Sequence, residues 1–438
     1  MAASQWNTLP AEMKYSVIDH LPLPDLTAFS LVDKHAYALC VPALWRHVHI
    51  KSCQALLSYV RNVPASYQRF IRQLTICTKS TNPSSSSCNV ISDTLASLLS
   101  QCSHLEHLSL ILDAALHDSV IPSFASLTAL TALSITHCGD EQNQPLSERL
   151  VVSMAATVPH LTDLSLNCIA RSAMHAPELV GAHPFVPVVL GDGTIPDHPL
   201  LGSDLSLPSL LRLPTLKTLR IRDTHLGDPR WSTTPPCCSL QILDLGSCYH
   251  ESQEFNRICT ERIIGNVGHT VDEFSLATAI SADCLATAKA EQTPLKRLRK
   301  VHLTPLFPVE NVVDTLSALS DSPVEQLSVK CHEDDVVDMC SALEDFLNLR
   351  VERGQTALFE HLSEIIVDAV ADLNEEMSTK PVVSISADQV DAVKHLQEYC
   401  RDLHLANVAP KADSKCAAVA NAYAPNKPSF AGRTTTQH

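Results

Sequence analysis

Hydrophobic positions recur along most of the chain in a short motif, L-x-x-L-x-L, in which Ile, Val or Phe can stand for Leu. Each copy alternates apolar and other residues with a period of two, which predicts a short β-strand with one buried face. The middle residues of neighbouring copies mostly lie 24 to 31 positions apart, so the pattern is a true repeat. The copies span residues 71–76, 105–110, 130–135, 161–166, 216–221, 240–245, 271–276, 298–303 and 324–329, with less regular copies at 362–367 and 400–405.

Stretches with helical spacing separate these copies. Residues 150–154 and 312–319 are examples, in which apolar residues lie three and four positions apart. Each unit is therefore predicted to be a strand followed by a helix, and strands joined in this way run parallel. A doubly wound α/β domain is the alternative, but it would need longer apolar strands and a glycine cluster for phosphate. With 11 glycines in 438 residues and no such cluster, an α/β solenoid is favoured.

Residues 9–50 follow a different, helical pattern. Met13, Val17 and Leu21 lie four positions apart and form one apolar stripe, after which Pro22 and Pro24 are expected to end the helix. Three short helices are predicted in this segment. The residues that mark their beginnings are Pro10, Asp25 and, as an N-cap, Asp33.

The order and spacing of these residues resemble the F-box. The match comprises Leu9-Pro10, Ile18, Leu21, Asp25-Leu26, Ser30-Leu31-Val32, Lys34 and Leu44-Trp45. It departs from the usual motif at Asp33, where cysteine is common, and at His35-Ala36, where a basic-aromatic pair is frequent. The resemblance implies three helices that bind an Skp-type adaptor, which in turn joins a cullin scaffold and a RING subunit. The adaptor contacts that it implies are Leu9, Pro10, Ile18, Leu21, Leu26, Leu31, Val32 and Trp45.

The array behind this segment is similar to leucine-rich repeats. Cys138 and Cys248 follow their strands by three residues, where that family places Asn or Cys to satisfy inward backbone groups. The resemblance implies strands on a concave face, helices on a convex face and an unknown protein target bound by the repeats. A second interpretation of the first helices remains open. In it they only cap the apolar end of a protein-binding solenoid that has no link to ubiquitin.

These patterns predict an order of domains. We expect an F-box over residues 1–50, a linker helix over 51–70, a solenoid over 71–407 and a disordered tail over 408–438. The solenoid contains an insert at 171–212, rich in proline and glycine, which either contacts the target or is a tolerated excursion. A serine run at 84–87 is interpreted as a flexible loop with a potential phosphosite.

Charge and composition narrow the class of partner. The formal net charge is −16 and no basic run offers a track for phosphates, so nucleic acid is not an expected partner. Neither a signal-peptide pattern nor an apolar run of membrane-spanning length is found, which predicts no membrane partner and a cytoplasmic or nuclear location. The 16 cysteines are interpreted as reduced and mostly buried.

No constellation of residues predicts catalysis, a cofactor or a metal site. The chain has no G-x-S-x-G elbow, phosphate-binding loop or H-E-x-x-H helix. Residues 331–335, CHEDD, are consecutive and are interpreted as a solvated turn that caps the helix beginning at Val336. The sequence therefore predicts a non-catalytic adaptor that recognises a substrate protein for a ubiquitin ligase, with the protein-binding scaffold as the alternative.

Overall fold

One sheet of parallel strands dominates the fold. The computed structural model describes residues 5–79, 88–183, 185–281, 295–354, 358–370 and 387–408. Strands follow one another in the sheet as they do along the chain, except for a short pair that lies apart, β6 (Arg171–Ser172) with β7 (Val188–Val189). The strands of the main sheet are β1 (His47–Ile50), β2 (Gln73–Cys77), β3 (His107–Leu112), β4 (Ala132–His137), β5 (Asp163–Asn167), β8 (Thr218–Arg222), β9 (Ile242–Leu245), β10 (Glu273–Leu276), β11 (Lys300–Leu303), β12 (Gln326–His332), β13 (Glu364–Val370) and β14 (Ala406–Val408).

The repeat motif sets the register of this sheet. Leu74 lies opposite Leu108, and Leu108 lies opposite Leu133. A shift by one residue would turn every apolar side chain of a strand to the opposite face, so a single register buries them all. The same middle position continues through Leu164, Leu219, Leu243, Phe274, Val301, Leu327 and Ile365, all buried.

Helical segments pack on the buried face of the sheet, and their length follows the length of the repeat. Where middle residues are 24 positions apart, from Leu219 to Leu243, the helical element is the 3-10 turn Pro229–Ser232. The longer unit between β12 and β13 contains an 18-residue helix. Within the described residues the α-helices are α1 (Gln5–Thr8), α2 (Ala11–Asp19), α3 (Leu23–Ser30), α4 (Lys34–Leu44), α5 (Cys53–Asn62), α6 (Ala65–Gln68), α7 (Cys88–Leu99), α8 (Ile121–Phe124), α9 (Glu148–Thr157), α10 (Gln253–Val267), α11 (Val312–Ala318), α12 (Val336–Arg353) and α13 (Ala387–Asp402).

Strand and helix residues share one continuous apolar core. It extends from Ile50 in β1 to Leu405 just before β14. Each repeat therefore buries its apolar side chains against the next one, as in stacked repeat proteins. The predicted α/β class and the stacking of parallel strands with helices between them are confirmed, and the array is consistent with a leucine-rich-repeat solenoid.

The sheet begins earlier than the sequence pattern indicated. β1 lies inside the segment assigned to the F-box, and its Val48 and Ile50 lie opposite Leu74 and Ile76. Residues 51–70, predicted as a linker helix, form α5 and α6, and Leu56 of α5 joins the main core. The repeat motif does not mark β1, because this strand is short and alternates histidine with aliphatic residues.

The far end of the array also differs from the prediction. Cys400 lies within α13 and Leu403 just after it, so the copy proposed at 400–405 is wrong; the strand comes later, with Asn407 opposite Ile365. Leu396 and Cys400 are buried at a helical spacing of four, which explains the misassignment. Of the predicted tail only Val408 is described, and the serine run at 84–87 lies outside the described residues.

The insert at 171–212 is part of the fold. Besides β6 and β7 it contains 3-10 turns at Pro177–Leu179, Asp192–Thr194 and Leu207–Arg212. Leu205 and Leu210 are fully buried in the main core. The last of these turns therefore takes the place of the helix in a repeat of double length.

Candidate functional site

The first helices form a small module with its own core. Ile18, Leu26, Leu39 and Cys40 pack together, separately from the core of the sheet. Asp33 ends the turn before α4 and accepts a hydrogen bond from the Ala36 backbone N–H at 2.7 Å, as predicted for an N-cap. Pro24 lies in the first turn of α3 instead of ending the preceding helix, and a helix tolerates proline there.

Large apolar side chains remain exposed on this module. Leu31 and Val32, in the turn between α3 and α4, are 81% and 68% exposed. Leu23 at the start of α3 is exposed as well, and so are Met13 and Val17, which share one face of α2. Clustered apolar exposure on a folded domain marks a surface that another molecule covers. The module therefore has its own hydrophobic core and, in addition, exposed apolar side chains at its surface.

The predicted adaptor contacts fall into three groups. Ile18 and Leu26 form the core of the module, so their side chains are covered before any partner binds. Trp45 lies against Tyr67 of α6, with ring centroids 5.2 Å apart, and thus faces the repeats. The contacts left at the surface are Pro10, Leu31 and Val32, with Leu9 and Leu21 half-buried. The helical period alone could not separate inner from outer residues here, because helices this short carry apolar residues on more than one face.

The module is joined to the array by a small polar and aromatic interface. Trp45 also approaches Tyr59 of α5, at 6.1 Å between ring centroids. Arg46 forms an ion pair with Asp19 at 3.0 Å. These contacts hold the module beside β1, and they leave Leu31 and Val32 uncovered.

The open face of the sheet carries a row of small hydroxyl side chains. By register, Thr75, Ser109, Ser134 and Ser165 lie side by side, and Arg220 continues the row. Together they line a shallow groove of about 270 Å³. Small side chains let the main chain of a partner approach the strands closely, which makes this groove a second candidate binding surface.

A buried ion network fixes the insert to the array. The Arg171 guanidinium pairs with Glu148 at 3.0 Å and with Asp228 at 2.8 Å, and all three side chains are almost completely buried. Glu148 also accepts hydrogen bonds from the backbone N–H groups of Ser172 and Leu207. Buried charges are tolerated when they are paired and hydrogen-bonded in this way. No motif in the sequence signals this network, because its members come from separate repeats.

The network lowers the pKa of its two carboxyl groups, Glu148 and Asp228. Burial alone would raise the pKa of Glu148, but Arg171, His175 and the Ser172 N–H outweigh burial and hold the pKa below its ordinary value. Burial would also raise the pKa of Asp228. The hydrogen bond from Arg230 and the charge of Arg171 outweigh this effect, so the pKa of Asp228 lies below its ordinary value.

These pKa shifts predict a contribution to acid unfolding. A carboxyl group whose pKa is lowered in the folded state stabilises the fold above its unfolded pKa, and loses this contribution as pH falls through the folded pKa. The free energy of unfolding should therefore fall more steeply below about pH 4.5, the ordinary value for Glu148, in the wild type than in Glu148→Gln. Urea unfolding in a pH series measures this slope, with exposed Glu352→Gln as the control. Parallel curves for wild type and Glu148→Gln would contradict the assignment.

The residues 331–335 and the turn residue Cys248, both singled out in the sequence, have structural roles. Cys331 and His332 lie in β12, so the predicted solvated turn holds only Glu333–Asp335, which form a 3-10 turn before α12. At Cys248 the side chain of Asn256 satisfies both the backbone N–H and the carbonyl, a role that the repeat pattern assigned to the cysteine. Among the described residues, no three His, Cys, Asp or Glu side chains are arranged to hold a metal ion. None of the described helices has the length and apolar character needed to cross a membrane.

Comparison with known proteins identifies no family. Neither the protein-family models nor the curated proteins contain a match to this chain. Among solved structures, the chain is similar to one in the crystal structure of the Rad7 and Elc1 complex in yeast, with 13% sequence identity and a TM-score of 0.37. The similarity covers 89% of this chain and 95% of the other.

Proposed function

We propose that this chain is a substrate-binding subunit of a ubiquitin ligase. In this proposal the N-terminal module is an F-box that binds an Skp-type adaptor, and the adaptor links the chain to cullin and RING subunits. The repeats bind the target protein. The chain supplies no catalytic group and acts by holding the target near a charged conjugating enzyme in the cytoplasm or nucleus.

The exposed Leu31-Val32 turn is the observation that carries this proposal. A module that only capped the solenoid would need a polar outer face, since its function would be to end the apolar stack. Instead, the outer residues at this turn are aliphatic and the most exposed of them, Leu31, is 81% uncovered. These two residues also belong to the motif that resembles the F-box. The apolar exterior thus favours docking over capping.

A scaffold without a link to ubiquitin is the second candidate. The Trp45–Tyr67 contact and the Arg46–Asp19 ion pair favour it, because they show that the module packs against the first repeat as a cap would. Under this hypothesis the exposed apolar turn would bind some other protein, or a second copy of the chain.

Replacing the exposed turn tests the proposal. Leu31→Asp/Val32→Asp should weaken binding to a purified Skp-type adaptor by at least about 30-fold, because two apolar anchors at an interface centre contribute roughly 2 kcal/mol or more. The melting temperature should stay within a few degrees of the wild type, since neither side chain is part of the core. Binding is measured by isothermal titration calorimetry on the full chain.

The matched control places two aspartates at exposed apolar positions of the array. Ile258→Asp/Val351→Asp makes the same chemical change on α10 and α12, where both residues are partly exposed. This control should bind the adaptor as the wild type does. Undiminished binding by Leu31→Asp/Val32→Asp would refute the assigned docking turn.

A further inference from the structure

A small cleft lies where the carboxyl ends of β4, β5, β8 and β9 meet. His137 is the last residue of β4, while Cys168 and Asp223 directly follow β5 and β8. The backbones of Cys168 and Asp223 are both left-handed, with φ of 56° and 46°, so the chain turns sharply at equivalent points of two neighbouring repeats. The cleft has a volume of about 10 Å³, close to the smallest that holds one water molecule.

Two carboxyl groups line this cleft without a lysine or arginine paired to them in the described part of the chain. Asp223 makes no hydrogen bond or ion pair there; burial raises its pKa, the Arg222 charge lowers it, and the nearby Glu141 carboxylate raises it further. Arg222 itself is bound to Asp244, at 2.6 Å between Nη2 and Oδ2. Glu141 accepts hydrogen bonds from the Tyr249 hydroxyl at 2.6 Å and from His250 Nε2 at 2.9 Å. The cleft is therefore rich in negative charge and acceptors.

His137 adds an unsatisfied acceptor to the same cleft. Its side chain is 2% exposed, and within the described residues neither ring nitrogen has a hydrogen-bond partner of good geometry. Burial lowers the pKa of His137 and outweighs the opposing effects of Glu141 and the Gln144 backbone, so the ring is neutral near pH 7. A neutral imidazole has one nitrogen that can accept a proton donor. Buried polar groups are normally hydrogen-bonded, so a buried imidazole without a partner indicates a site for a ligand that donates a hydrogen bond.

Exposed aromatic rings flank the cleft. Tyr249 is 61% exposed and its ring lies 4.1 Å from that of His250, while Phe185 from the insert packs edge-on against the same histidine. Aromatic faces beside carboxylates are the usual surroundings of a bound organic cation. Aromatic rings also supply the anchoring contacts at many protein interfaces.

We propose that this cleft binds the ammonium group of a lysine side chain from a basic segment of the target protein. An ammonium is compact and has three donors for Glu141, Asp223 and His137, whereas a planar guanidinium is too large for a cleft of one water molecule. The net charge of −16 favours approach of a basic segment. This inference deepens the proposed function, since it names the target chemistry, but it does not depend on the adaptor.

Binding of a blocked peptide tests the proposal. The probe is Ac-Gly-Gly-Gly-Lys-Gly-Gly-Gly-NH2, whose blocked ends leave the lysine as the sole amine, titrated into the full chain and followed by NMR of the protein. The peptides with acetyl-lysine or arginine in place of lysine should bind at least about tenfold more weakly, since one loses the charge and the other exceeds the cleft. Equal binding of all three peptides, or no detectable binding of the lysine peptide, would overturn the proposal.

Variants locate the site of binding. Glu141→Gln/Asp223→Asn should weaken lysine-peptide binding about tenfold or more, because both carboxylates that face the ammonium lose their charge. The control Glu352→Gln/Asp391→Asn removes the same charge from exposed helix positions and should change binding less than about twofold. An equal loss in both variants would show a general charge effect and refute the site.

A second variant tests the same site without changing a buried residue. Tyr249→Ala removes an exposed ring from the rim and leaves the buried residues in place, so it should fold normally and still weaken the lysine peptide several-fold. Unchanged affinity in Tyr249→Ala would count against the cleft. Leu31→Asp/Val32→Asp should still bind the lysine peptide, because the adaptor surface and the cleft are separate. Lysine binding by the cleft and adaptor binding by the turn can therefore be refuted independently.

Discussion

Arg171→Met is expected to lower the free energy of unfolding by about 3–5 kcal/mol, because it leaves the buried Glu148 carboxylate without its arginine and leaves Asp228 paired with Arg230 alone. Glu148 and Asp228 would both lose an ion pair to this guanidinium in a region that solvent does not reach. Methionine fills a similar volume, so the loss reports charge more than packing. Urea unfolding followed by circular dichroism at neutral pH measures the change.

An exposed ion pair supplies the control for this prediction. Arg297 pairs with Asp272 at 3.1 Å, but its side chain is more than half exposed. Arg297→Met should therefore change stability by only about 0–1 kcal/mol, as is usual for surface pairs. If the two arginine variants lose equal stability, the buried network does not have the role assigned to it.

Phe274→Ala is the second change with a large expected effect. The ring is fully buried in β10, where it continues the row of Leu243 and Val301 in the neighbouring strands. Its loss removes apolar contact and leaves a cavity, and such changes typically cost about 3–5 kcal/mol. Because each repeat is stabilised by its neighbours, amide hydrogen exchange should accelerate in β9 to β11 before it does at distant strands.

Phe185 provides the matching control, because it is a phenylalanine of the insert that is 45% exposed. Phe185→Ala should leave the free energy of unfolding within about 0.5–1 kcal/mol of the wild type. Hydrogen exchange that rises uniformly over the whole sheet in Phe274→Ala would contradict the local coupling expected of stacked repeats.

The sequence predicted the array well because its information is periodic. A strand with one buried face needs apolar residues two positions apart, and stacking needs the same positions in every repeat. All nine copies from 71–76 to 324–329 therefore coincide with strands of the main sheet. The failures, at β1 and at 400–405, lie at the two ends, where a repeat has a neighbour on one side only and tolerates a weaker pattern.

The candidate binding surfaces could be predicted only in part. The apolar stripe of the first helices predicted a helical segment, but burial of Ile18 and exposure of Leu31 depend on how three short helices pack. The cleft around His137 and Asp223 was not predicted, because its residues lie as much as 113 positions apart in sequence, from His137 to His250, and meet only through the register of the sheet. The buried network of Arg171 was hidden for the same reason.

Direct binding of the unmodified chain to a purified Skp-type adaptor tests the central claim. Mixed in equal amounts and passed through size exclusion with light scattering, the two proteins should elute together as a one-to-one complex. Leu31→Asp/Val32→Asp, folded by circular dichroism, should elute apart from the adaptor. If the wild-type chain is folded and the adaptor still elutes separately, the link to ubiquitin ligases is contradicted and the array is a protein-binding scaffold.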